Sequence, residues 1–77
     1  LPTLQRAILS ALKHGPLNQY ELADELREAP FRIRGELQAM RRDRLVTDRL
    51  EANARTWRLT DAGYEIAWAQ AQPEMFR

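Results

Sequence analysis

Residues 31–46 read FRIRGELQAMRRDRLV and place five arginines in sixteen positions. Ile33, Leu37 and Met40 recur at i, i+4 and i+7, the period of a helix that turns one face to a core. Arg34, Gln38, Arg41 and Arg42 fall on the other side, with Gly35 among them. Pro30 suits the first turn of such a helix, and Ala29 before it is pushed out of the α region. A helix is therefore expected over 30–43. Its outer face is either an ordinary solvated surface or one built to lie against something negatively charged. The flanking segments bear on which.

Upstream, LNQYEL (17–22) has the form of a helix start. Asn18 can cap, Glu21 falls at N3 as in a capping box, and Leu17 and Leu22 stand where a hydrophobic staple needs them. This second helix is predicted over 18–27, burying Leu22, Ala23 and Leu26. Before it, Leu4, Ile8 and Leu12, with Ala7 and Ala11 beside them, form the stripe of a first helix over 3–13. His14, Gly15 and Pro16 stop that helix, because proline cannot continue the ladder.

Downstream, VTDRL (46–50) and RTWRL (55–59) have strand propensity, and EANA between them is turn-like, with Asn53 able to take a positive φ. Trp57 and Leu59 share one face by period 2 and Arg58 and Thr56 the other. This predicts a hairpin over 46–59, its Trp57 in the core. A final helix over 60–72 is capped by Thr60, with Ala62, Ile66 and Ala69 as its inner stripe and Trp68 off it. Pro73 ends it.

The chain has 77 residues, the size of one small domain. Its formal net charge is only +1, but the charge is unevenly distributed. Residues 31–58 carry eight arginines against four acids, a net of +4, and the remainder carries four basic and seven acidic residues, a net of −3. Such polarisation gives one face that attracts polyanions. Eleven of the twelve basic residues are arginine, which together with abundant alanine suggests a GC-rich coding sequence of bacterial or phage type. There is no cysteine, hence neither a disulfide framework nor a thiolate metal site, as expected in a reducing cytoplasm. No stretch is apolar for long enough to suggest a membrane span.

Enzymatic chemistry finds no foothold. Ser10 is the only serine and lies within the first helix, and His14 is the only histidine. Neither a glycine-rich phosphate loop nor a metal-ligand spacing is present. No activity, cofactor, metal or small-molecule ligand is expected. The acids of ELADEL and Glu28 follow the exposed side of their helix and read as solvated.

The order is helix, helix, tight turn, helix, hairpin, helix. Two short helices joined by a tight turn, the second rich in Arg and Gln, describe a helix-turn-helix, and an arginine-bearing hairpin after it adds a wing. In its segments LNQYELADEL, FRIRGELQAMRRDRLV and TWRLTDAGYEIA the chain resembles the winged helix-turn-helix regulators of bacteria, in particular the MarR-like and PadR-like groups. The resemblance runs from residue 3 to residue 70. The chain departs from the common pattern at Arg27 and Arg44, where those proteins often carry glycine. The fold implied is mainly α with a small β-hairpin: a three-helix core, a wing and a C-terminal helix.

The implied function is sequence-specific binding of double-stranded DNA in transcriptional regulation. Arg pairs with guanine and Gln with adenine in the major groove. Arg32, Arg34 and Gln38 are thus candidate base contacts, and Gly35 allows close approach. Arg41 and Arg42, Arg49 and Arg55 at the hairpin tip, and Asn18 and Gln19 at the second helix's start are candidate backbone contacts. Arg32 with Glu36 and Arg44 with Asp48 have the spacing of ordinary ion pairs. Trp68, Met75 and Phe76 suggest an apolar patch and a homodimer through the first and last helices. The rival function is a winged helix used as a protein-interaction module in a larger assembly, favoured by the low net charge and the acidic second helix.

Overall fold

The structure, a computed structural model, describes residues 1–71. Its elements in order are α1 (Thr3–Leu12), β1 (Leu17–Asn18), α2 (Gln19–Leu26), α3 (Pro30–Arg42), β2 (Val46–Glu51), β3 (Ala54–Leu59) and α4 (Asp61–Ala71). Each helix boundary has a local cause. At the start of α2 the Glu21 N–H donates to Asn18 Oδ1 and the Asn18 N–H donates to Glu21 Oε1, both at 2.8 Å, so two otherwise unpaired amides are satisfied reciprocally. Helix α3 begins with proline at its first position.

The ends of α2 and α3 follow one pattern. Arg27 and Arg44 both adopt left-handed conformations, with φ of 57° and 63°. The Glu28 N–H then reaches back to the Ala23 carbonyl at 3.0 Å, and the Leu45 N–H to the Met40 carbonyl at 2.9 Å. These are six-to-one closures of the kind glycine usually makes. The two arginines that depart from the glycine pattern therefore keep its backbone geometry.

The sheet holds more than a hairpin. Its order is β1-β3-β2, all antiparallel, with Leu17 opposite Trp57 and Asn18 opposite Thr56. The two residues of β1 read as a helix cap and staple, and they are also a strand. So short a segment has no periodicity of its own, and only its pairing with β3 defines it. The β2–β3 turn is Ala52–Asn53, both with positive φ (47° and 68°). A two-residue loop of this kind matches the twist of the flanking strands.

The core gathers one face from every helix: Ile8, Leu9 and Leu12, Leu22, Ile33, Leu37 and Met40, with Val46, Trp57, Leu59 and Ala67 from the sheet and α4. Two expected stripes are corrected. In α1 the fully buried residues include Leu9, whereas Leu4 and Ala7 are half-buried; Gln5 is also buried, its Nε2 donating to Glu36 Oε1 at 2.8 Å. In α4 the buried positions are Gly63 and Ala67, not Ala62 and Ala69, which are exposed, and Ile66 is half-buried. The cause is steric. Gly63 passes so close to the start of β2 that a Cβ there would stand 2.1 Å from the Leu45 carbonyl oxygen, and this contact sets the rotation of α4.

Thr60 binds the same junction. Its hydroxyl donates to the Arg44 carbonyl at 2.6 Å and accepts from the Gly63 N–H at 3.1 Å. Its own N–H donates to the Leu45 carbonyl at 3.1 Å. One residue thus caps α4 and ties it to the strand that leaves α3. Among the described residues no helix is long and apolar enough to cross a membrane.

Candidate nucleic-acid interface

Ile33, Leu37 and Met40 are all fully buried, so the opposite side of α3 must face solvent. The residues there, Phe31, Arg34, Gly35, Gln38 and Arg42, are spaced by three and four and make a single outward stripe. All are exposed except Gln38, which is half-buried. A Cβ at Gly35 would meet nothing within 4 Å, so no contact among the described residues requires glycine at that position.

Beside this stripe lies a cleft between α3 and the hairpin, lined by Gln19, Arg34, Gln38, Arg41, Arg55 and Trp57. Trp57, 3% exposed, forms its floor. Arg41 lies over the indole with its guanidinium carbon 5.6 Å from the ring centroid, a cation–π arrangement. Arg41 also donates to Asp48 Oδ1 at 3.1 Å, and Arg55 pairs with Asp48 Oδ2 across the hairpin. Burial raises the pKa of the Asp48 carboxyl, but the hydrogen bonds and charges of Arg41 and Arg55 outweigh burial and hold it below the usual aspartate range. This carboxylate couples α3 to the hairpin and pairs with two cationic heads that line the cleft, of which Arg41 lies over the indole.

The candidate residues do not all come together. Arg34, Gln38, Arg41 and Arg55 share the cleft, and Gly35 and Arg42 lie on the adjoining stripe. Arg32 is on the far flank of α3, paired with Glu28 at 3.0 Å and not with Glu36, whose carboxylate accepts from Gln5. The expected Arg44–Asp48 pair is likewise replaced by Arg41 and Arg55. Gln19 Nε2 donates to the Pro30 carbonyl at 3.2 Å, so this side chain ties α2 to the start of α3. Asn18 is committed to its cap.

The two hairpin arginines are on opposite faces. The register pairs Leu50 with Arg55, Asp48 with Trp57 and Val46 with Leu59. Cross-strand partners share a face, so these residues look toward α3. Arg49 is opposite Thr56 on the other face, where it pairs with Glu51 at 3.5 Å. Arg58 is also there, 3.9 Å from Glu51. Asp48, which couples the cleft, was missed as a site residue, although the five arginines within seven positions of it were the available signal.

Two helices joined by a left-handed turn, a third element set by α1, and a twisted hairpin flanking the exposed helix define the topology. The fold is a winged helix-turn-helix. Solved structures agree with this winged helix in shape. Lactococcus lactis ZitR, solved in wild-type form in complex with DNA, matches 94% of this chain with a TM-score of 0.86 and 20% sequence identity. AdcR, the adhesin competence repressor of Streptococcus pyogenes, matches 95% at 0.88 and 18% identity. MepR, a transcription regulator of the Staphylococcus aureus multidrug efflux pump MepA, also matches 95%, at 0.88 and 19% identity. The winged helix spans 51%, 57% and 57% of those three chains, respectively. No protein-family model and no curated protein sequence matches the chain.

Proposed function

We propose that this winged helix binds double-stranded DNA as the reading head of a transcription regulator, with α3 in the major groove and the β2–β3 wing against the backbone or minor groove. The observation that carries the reading is the outward stripe of α3. It bears the exposed Arg34 and Arg42 and the half-buried Gln38, and contains at Gly35 a glycine whose Cβ position meets nothing within 4 Å among the described residues. Glycine costs a helix about 1 kcal/mol relative to alanine, and close approach of a groove offsets that cost. The fold shared with ZitR, which has been solved in complex with DNA, supports the same reading.

In this arrangement Arg34 and Gln38 read base edges, and Arg41, Arg42 and Arg55 meet phosphates. Arg32, turned aside to Glu28, is reassigned from base reading to the rim. The test is binding to generic duplex over a salt series. With about 4–6 phosphate contacts, log K falls against log salt with a slope of roughly −4 to −5. A chain with no affinity for duplex at low salt is not a DNA reader.

A protein-interaction role is the second reading, favoured by the exposed acids Glu21, Asp24 and Glu25 on α2, and absence of duplex binding in that experiment selects it. A homodimer through α1 and α4 belongs to the main proposal. Trp68 is 52% exposed, with Lys13 Nζ 4.9 Å from its ring centroid, at the side where these helices meet. Met75 and Phe76, the other expected dimer contacts, lie outside the described residues.

A further inference from the structure

Phe31 is the most exposed large apolar side chain among the described residues, at 76%. It touches no core and closes no cap. Along the stripe of α3 its neighbours are Arg34, Gly35 and Gln38, none of which is a large apolar side chain. A protein-docking face of ordinary composition has an apolar centre with a polar rim. Here a single aromatic ring stands among groups suited to hydrogen-bonding base edges. The major groove presents an array of hydrogen-bond donors and acceptors, and one apolar feature within it, the 5-methyl group of thymine, accepts a phenyl ring in place of a polar partner.

We infer that Phe31 is a specificity-determining residue that packs on the methyl group of a thymine next to the base pair read by Arg34. The inference rests on the DNA-binding reading above. Phe31 precedes Arg34 by three residues, about 4.5 Å along the helix axis, and successive base pairs are about 3.4 Å apart. The thymine therefore lies within a step or two of the arginine's partner. Gly35, one turn beyond Phe31 and bare of side chain, lets the ring reach that depth.

The experiment uses the duplex that the wild-type chain itself enriches from a randomised library, prepared once with thymine and once with deoxyuridine throughout. The two differ only in the methyl groups. Wild type should bind the thymine duplex about fourfold tighter per contacted methyl, the equivalent of the ~0.8 kcal/mol that burial of one such group contributes. Phe31→Ala should bind both duplexes equally, at the wild-type level for the uracil form, and should melt at the wild-type temperature because the side chain is exposed. Equal affinity of wild type for the two duplexes, or a Phe31→Ala variant that keeps the wild-type ratio, overturns the assignment while leaving DNA binding intact. Retention without any enriched sequence also overturns it, since nothing would then be read. Failure of wild type to retain any duplex at low salt removes the DNA-binding reading and this inference with it.

Discussion

Two arginines occupy a backbone region that a side chain enters at a cost of about 1–2 kcal/mol. Arg27 and Arg44 are exposed, with φ of 57° and 63°, and close α2 and α3. Glycine takes this conformation freely but loses more chain entropy on folding. Arg27→Gly and Arg44→Gly are each expected to raise stability by roughly 0.5–1 kcal/mol, read as a shift in the urea midpoint without a change in slope. The glycines already present split in the opposite sense. Gly35→Ala meets open space and should stabilise the chain by about 1 kcal/mol while weakening duplex binding. Gly63→Ala drives a methyl into the Leu45 carbonyl and should cost about 1–3 kcal/mol, the range for overpacking. Thermal melts of the pair alongside a duplex titration separate the two roles.

At the scale of elements, the wing and α3 act as one unit through Asp48. Its carboxylate is lowered in pKa by Arg41 and Arg55 against the opposing effect of burial. A depressed folded-state pKa contributes stability that is complete above the unfolded aspartate value of about 3.9 and disappears as the pH falls through the folded value. The stability difference between wild type and Asp48→Asn should thus be constant above about pH 5 and shrink below about pH 4, as measured by denaturant melts across that range. The register makes a second prediction. Arg55 faces α3 and the cleft, whereas Arg49 is turned to the opposite face beside Glu51. Arg55→Ala should weaken generic duplex binding and reduce the salt slope by about 1. Arg49→Ala should leave the slope closer to wild type. Equal losses from both substitutions would mean that the wing docks by its edge and not by the face toward α3.

For the molecule as a whole, a single winged helix reads few base pairs, and two-fold pairing lengthens the site. The α1–α4 side is the one away from the cleft. There Gln70 Nε2 donates to the Arg6 carbonyl at 2.8 Å and to Ser10 Oγ at 3.1 Å, so the two helices already form one rigid surface, with Trp68 projecting from it. A dimer through this surface should dissociate on Trp68→Glu, read by sedimentation at micromolar concentration, with a loss of affinity on a two-fold site. Identical sedimentation and binding of the two proteins would leave the dimer without support.

Much of this architecture was legible in the residues because its causes are local. The i, i+4, i+7 spacing of Ile33, Leu37 and Met40 dictates which side of α3 is inside, and Asn18 with Glu21 dictates where α2 begins. Trp57 and Leu59 reach the core by the two-residue period of a strand. What tertiary structure alone decided comes from contacts between segments far apart in the chain. Leu17–Asn18 becomes a strand only because β3 lies beside it. Gly63 against the Leu45 carbonyl rotates α4 away from its apparent alanine stripe. Asp48 takes Arg41 and Arg55 in place of a neighbour at helical spacing, and the ladder separates Arg49 from Arg55. Charge attraction and packing act through space, so the long arginine side chains choose partners that spacing along the chain does not reveal. Local sequence determined that a basic, outward helix face exists; the fold decided which of its arginines stand together on it.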